Sequence, residues 1–150
     1  MLFLYHIIIF IITAFSPVII FFRILKNKED RKRYIEKFSI SSKKRVKGKL
    51  IWFHGASVGE IKSIIPLIEK LEKNKKFNKI LITSNTLSSS KIFEQYKFKK
   101  TIHQFFPIDT NLLSLKFLDY WRPSAAFFVD SEIWPNTIIN LKNKRIPLVL

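Results

Sequence analysis

Cysteine is absent from this chain. No disulfide framework and no thiolate metal site can form, which fits a reducing compartment. The three histidines, His6, His54 and His103, are scattered without ligand spacing, so no metal is expected. A G-x-G-x-x-G dinucleotide fingerprint and a P-loop are both missing, and no cofactor is expected. Ser57 does not sit in a G-x-S-x-G elbow, which argues against serine-hydrolase chemistry. Internal repeats and low-complexity segments are lacking too. Acidic residues are scarce: 11 against 27 basic ones, for a net charge of +16. Such a balance favours an anionic partner, whether nucleic acid, a membrane surface or a phosphorylated substrate. Alternatively it reflects drift in a chain heavy in Ile, Asn and Phe.

Charge of either sign is missing from residues 1–22. This stretch is nearly all Ile, Phe and Leu, interrupted by Tyr5, His6, Thr13, Ser16 and Pro17. Roughly 20 apolar residues cover the hydrocarbon core as a helix. A cleaved signal peptide would need a basic leader and a small-residue cleavage site, and neither is evident. A buried core helix is the other source of such a run, but this one is apolar all round, and a membrane anchor is expected over 1–22. Pro17 is tolerated in such a helix. Residues 23–49 then carry twelve basic and three acidic side chains, supplying +9 of the +16. Positive flanks stay cytoplasmic, so the expectation is a single-pass inner-membrane protein with its soluble part in the cytoplasm. The same charges suit anionic inner-leaflet lipids. A nucleic-acid arm would want interleaved aromatics, and no nucleic-acid partner is expected.

The chain's 150 residues suffice for one domain with a sizeable core. A short helix is predicted around 30–38, followed by a polar linker, with the domain proper over 50–150. Strands are predicted at 50–54, 79–83, 103–107, 125–129 and from 147. Helical patterns lie between them at 62–74, 87–96, 112–121 and from 137. This alternation argues for βαβ units: an α/β fold with a parallel sheet and helices on both faces. A sheet ending in mid-strand at Leu150 would be poorly covered, which suggests the first part of a longer protein.

Two polar clusters follow predicted strands and therefore face one edge of the sheet. The first is His54-Gly55-Ala56-Ser57-Val58-Gly59-Glu60; the second is Asp130-Ser131-Glu132-Ile133-Trp134-Pro135-Asn136. Ser57 and Glu60 have capping-box spacing, so Glu60 reads either as a helix cap or as a base at a ligand crevice. Gly59 either admits close backbone approach or relaxes the turn. His54 on its own reads first as a satisfied structural histidine. His103 and Asp109 straddle Pro107 and could line the same edge.

The order S-V-G-E (57–60), Pro66-Leu67, Ile82-Thr83-Ser84, Phe106-Pro107-Ile108-Asp109, Phe117 to Pro123 and Ser131-Glu132-Ile133-Trp134-Pro135-Asn136 resembles the N-terminal half of 3-deoxy-D-manno-octulosonic acid (Kdo) transferases of lipopolysaccharide synthesis. The resemblance implies a GT-B fold, of which this would be the N-terminal Rossmann-like, acceptor-binding domain. A C-terminal domain, lacking here, would bind the donor substrate CMP-Kdo. A lipid A precursor would be the acceptor. Glu60 would be the general base and Glu132 a supporting carboxylate, with Ser57, Gly59, His54 and Asn136 on the acceptor side. Asp130 stands where the family usually has Glu and receives no role. Residues 1–150 alone are expected not to catalyse transfer. The alternative is a non-catalytic, membrane-tethered acceptor-binding module or remnant of a split transferase.

Overall fold

The computed structural model describes residues 2–75, 78–130 and 133–150. Five parallel strands form one sheet: β1 (Leu50–His54), β2 (Lys79–Ser84), β3 (Thr101–Phe105), β4 (Ala125–Phe128) and β5 (Leu148–Val149), in the order β3-β2-β1-β4-β5. Four helices make the crossovers: α2 (Val58–Lys73), α3 (Leu87–Glu94), α4 (Asn111–Trp121) and α5 (Pro135–Asn143). An N-terminal helix, α1 (Leu2–Leu25), and a 3-10 turn at Arg33–Phe38 precede the sheet. The α/β class with a parallel sheet and one apolar N-terminal helix is as the sequence predicts.

Strand β1 shows how the sequence builds two layers. All five of its residues are buried. Leu50 and Trp52 face a core made with Phe106, Phe117, Leu118, Trp121, Phe128 and Leu141. Ile51 and Phe53 face the opposite core, with Ile61, Ile64 and Ile68 of α2, Ile80 and Ile82 of β2, and Phe93 of α3. Successive side chains alternate across a sheet covered on both sides, so the strand reads as a continuous apolar run. The order reverses between β1 and β4, whose residues His54 and Phe128 are partners in register. Loops leaving the carboxyl ends of such a pair splay apart and open a crevice.

Three elements differ from expectation, the first being β3, which spans Thr101–Phe105 rather than 103–107. Helix α2 starts at Val58 rather than at 62, because the Ser57 cap allows the helix to begin inside the polar cluster. Segment 23–49 is bound to the sheet rather than strung out as a linker. Glu36 is wholly buried; its carboxylate accepts from Arg33 Nε and Nη2, from Ser42 Oγ and from the Phe105 amide. Ser39 donates to the Leu113 carbonyl and Arg45 Nε to that of Trp121. A buried carboxylate is tolerated only when paired and hydrogen-bonded, and Arg33 together with the Phe105 amide meets that condition.

Helix α1 is the apolar helix expected, and its 4–25 stretch is long and apolar enough to cross a membrane. It does not stand free, however. Ile9, Ser16 and Ile20, spaced along one face, are buried. Tyr5 Oη donates to Asp109 Oδ2 at 2.6 Å, and His6 Nε2 lies 3.1 Å from Asn136 Oδ1.

Candidate active site

At the carboxyl end of β1 the chain turns sharply into α2. Gly55 N–H donates to the Thr83 carbonyl, holding the turn against β2. A Cβ on Gly55 would stand 3.1 Å from Glu60 Cβ and 3.3 Å from Ile61 Cδ1, so a larger residue in this turn would have to push one of them aside. Ser57 caps the helix: its Oγ accepts from Glu60 N–H at 3.2 Å. Glu60 reaches back, accepting the Ala56 amide at 2.8 Å on Oε2 and the Ser57 hydroxyl at 2.6 Å on Oε1. Glu60 is thus a capping-box carboxylate with a fixed orientation, and it stays partly exposed at the crevice mouth. At Gly59, by contrast, a Cβ would meet only Ser57 Oγ, at 3.8 Å. Among the described residues nothing requires glycine there.

The second junction, from β4 into α5, is capped differently. Pro135 opens α5, and Trp134 at the cap position supplies no side-chain bond. Asp109, from the loop after β3, takes that place. Its wholly buried carboxylate accepts the Asn136 and Thr137 amides at 2.9 and 2.8 Å, Thr137 Oγ1 at 2.6 Å and Tyr5 Oη. An anion on the first amides of a helix is favoured by hydrogen bonding and by the dipole. Asn136 Nδ2 donates back to the Asp109 carbonyl at 2.5 Å.

Between the two junctions lies an aromatic floor. His54 is fully buried, with Nδ1 2.9 Å from Thr83 Oγ1 and its ring 4.1 Å from that of Phe106. Burial pushes its imidazole down to about 3, against a hydrogen bond to Thr83 that acts in the other direction. Trp134 packs on Phe106 at 5.2 Å. A cavity of about 290 Å³ opens here, lined by Ile9 and Ile12 of α1 and by Lys37, Asn85, Phe106 to Asp109 and Trp134. The indole N–H of Trp134 is buried without an acceptor among the described residues, an orphaned donor beside an apolar hollow. Among the described residues, no three of His, Asp and Glu gather so as to hold a metal ion.

Residues 31–150 match the protein family described as 3-Deoxy-D-manno-octulosonic-acid transferase (kdotransferase). The chain belongs to this family. It is 38% identical over 135 residues to a 3-deoxy-D-manno-octulosonic acid transferase of Rickettsia bellii, covering 90% of this chain and 32% of that protein. It is 37% identical over 138 residues to a probable mitochondrial 3-deoxy-D-manno-octulosonic acid transferase of Arabidopsis thaliana, covering 90% and 31%. A Rickettsia typhi transferase of the same description is 31% identical over 194 residues, covering 100% and 42%. The chain thus spans about a third of the length of the first two relatives. The α/β sheet with its five parallel strands is consistent with the Rossmann-like half of a GT-B transferase.

Within this family member, the residues singled out from the sequence fall into four groups. Glu60, Ser57 and Gly59 come together at the crevice mouth. His54 and Asn136 lie beneath it, 0% and 4% exposed. Glu132 lies outside the described residues. His103 faces away from the crevice mouth, toward Arg33 Nη2 at 2.9 Å and Ser84 Oγ at 2.8 Å. Burial, with Arg33 and Lys43 nearby, lowers its pKa to about 3. Asp109 as a remote helix cap was missed. The signal was there in principle: a helix opening on Trp-Pro with no Ser, Thr, Asp or Asn before it needs an acceptor from elsewhere.

Proposed function

We propose that this chain is the acceptor-side domain of a transferase that moves Kdo from CMP-Kdo to a lipid A precursor, with Glu60 as general base. The observation that carries the proposal is the Glu60 carboxylate, fixed by Ala56 N–H and Ser57 Oγ at the open end of β1, beside Gly59, where among the described residues a Cβ would meet only Ser57 Oγ, at 3.8 Å. In the reaction an acceptor hydroxyl attacks the anomeric carbon of Kdo. Its proton passes to Glu60 as the bond from that carbon to the CMP phosphate oxygen breaks and CMP departs. Ser57 keeps the carboxylate aimed. Gly59 lets the acceptor approach the helix backbone. His54 and Asn136 are proposed on the acceptor side, where they hold Thr83, Phe106 and Asp109 in the floor of the crevice. Glu132 is proposed as a supporting carboxylate and the metal requirement as none. Helix α1 and the basic segment after it keep the site at the cytoplasmic face of the inner membrane, beside anionic lipids.

Donor binding belongs, on this reading, to a second domain. Residues 1–150 alone are expected to show no Kdo transfer from CMP-Kdo; transfer by the purified chain would refute the assignment. In a full-length transferase carrying these residues as its amino-terminal domain, Glu60→Ala is expected to abolish turnover while circular dichroism and membrane recovery stay unchanged. Near-normal turnover removes Glu60 as the base and favours a non-catalytic, acceptor-holding module.

A further inference from the structure

We infer that α1 lies flat in the surface of the bilayer, clamped along the carboxyl edge of the sheet, and does not cross the membrane. The inference rests on the membrane-associated reading above and deepens it. The contact between α1 and the rest of the chain is made at three places along one narrow face of the helix, on which Ile9, Ser16 and Ile20 are buried. At one end Tyr5 and His6 bond to Asp109 and Asn136. In the middle Ile9 and Ile12 wall the cavity with Phe106 to Asp109 and Trp134. At the other end Pro17, Ile20, Phe21 and Ile24 border a hollow with Tyr34 and Phe38, and Arg23 Nε pairs with Glu29 at 3.1 Å.

From Tyr5 to Arg23 is about 27 Å at 1.5 Å per residue, close to the roughly 30 Å of hydrocarbon a spanning helix must cross. A helix cannot stretch over that depth and also touch a cytoplasmic domain at both ends. Crossing would carry Tyr5 and His6 to the far side and leave the buried Asp109 carboxylate without its tyrosine donor. The outward face explains why the helix is apolar all round. Leu4, Ile8, Ile11, Phe15, Val18, Phe22 and Leu25 are exposed, and so are Ile7, Phe10, Ile12, Ile19 and Phe21, so the domain covers only the narrow face of Ile9, Ser16 and Ile20 and lipid meets the rest. The helix therefore has two apolar partners, the domain on one side and lipid on the other. Immediately beyond it, Lys26, Lys28, Arg31 and Lys32 are exposed, where anionic headgroups would meet them. The cavity walled by Ile9 and Ile12 then faces the lipid surface.

Two measurements in native membranes test this. A photo-crosslinking benzoylphenylalanine in place of Ile12 is expected to capture the 106–108 segment or Trp134 of the same chain. A protease-cleavable tag before Met1 is expected to be cut in vesicles whose outer face carries the domain. Cleavage only from the opposite face, with no internal cross-link, overturns the inference and leaves membrane association standing. A tag on the domain's side without the cross-link overturns the clamp. Recovery of the chain in the soluble fraction without detergent overturns both this inference and the membrane reading.

Discussion

The β1–α2 and β4–α5 junctions leave neighbouring strands at the same edge, yet they are closed in opposite ways. The first is self-sufficient: Ser57 and Glu60 cap the helix they belong to. The second borrows Asp109 from the loop after β3, and Asp109 in turn receives Tyr5 from α1. A local cap leaves its carboxylate at the mouth of the crevice, available to a ligand. A borrowed cap buries its carboxylate and ties three separate parts of the chain together. The difference separates a residue suited to chemistry from one suited to holding the fold.

The comparison predicts unequal costs. Asp109→Ala leaves the Asn136 and Thr137 amides and the Tyr5 hydroxyl without an acceptor in a buried place. A loss of about 3 kcal/mol or more is expected from the urea midpoint, since stranded buried donors cost about 1–3 kcal/mol each. A loss under about 1 kcal/mol, the size of an ordinary exposed cap, would erase the distinction between the junctions.

The two buried histidines, His54 in the floor between the junctions and His103 on β3, should respond to acid. Folded His54 and His103 stay neutral down to about pH 3, while an unfolded imidazole takes up a proton near 6.5. Below that value the unfolded state binds more protons, so stability falls as pH drops from 6.5 toward 3. Roughly 2 kcal/mol per histidine is expected to disappear between pH 7 and 5. Urea midpoints at the two pH values measure this, and equal midpoints would place the imidazoles in contact with water.

The two glycines of the first junction sharpen the contrast on a smaller scale. Gly55→Ala must push Glu60 or Ile61 aside by a few tenths of an ångström, and is expected to cost about 1–2 kcal/mol along with turnover. Gly59→Ala enters open space, and its stability is expected to rise by about 0.5–1 kcal/mol through helix propensity. Its turnover is expected to fall if acceptor passes over that backbone. Parallel denaturation curves and transfer assays separate the two, and a Gly59→Ala transferase of full activity would place the acceptor elsewhere.

Much of this was legible in the sequence, for identifiable reasons. Leu50 to His54 reads as a buried strand because both faces of a parallel sheet are covered. Ser57 and Glu60 read as a capping box because the interaction is complete within four residues. Asp109 was not legible as a cap, because its partners lie 27 and 28 residues away; the uncapped start at Trp134-Pro135 says that an acceptor is needed but not which residue supplies it. Glu36, within a strongly basic stretch, gave no sign that it would be the buried anchor of that stretch to β3. For α1, hydropathy measures how apolar a helix is, not how many apolar partners it has, so docking against the domain could not be read from composition.

The central claim is that Glu60 is a working carboxylate and not only a cap, and Glu60→Gln tests it most directly. Glutamine can keep the capping box but cannot take a proton from the acceptor. In a full-length transferase, the account predicts an unchanged urea midpoint and a fall in kcat of at least about 100-fold, the usual scale of a lost general base. Turnover within a few-fold of the parent would contradict it and leave Glu60 a structural cap alone.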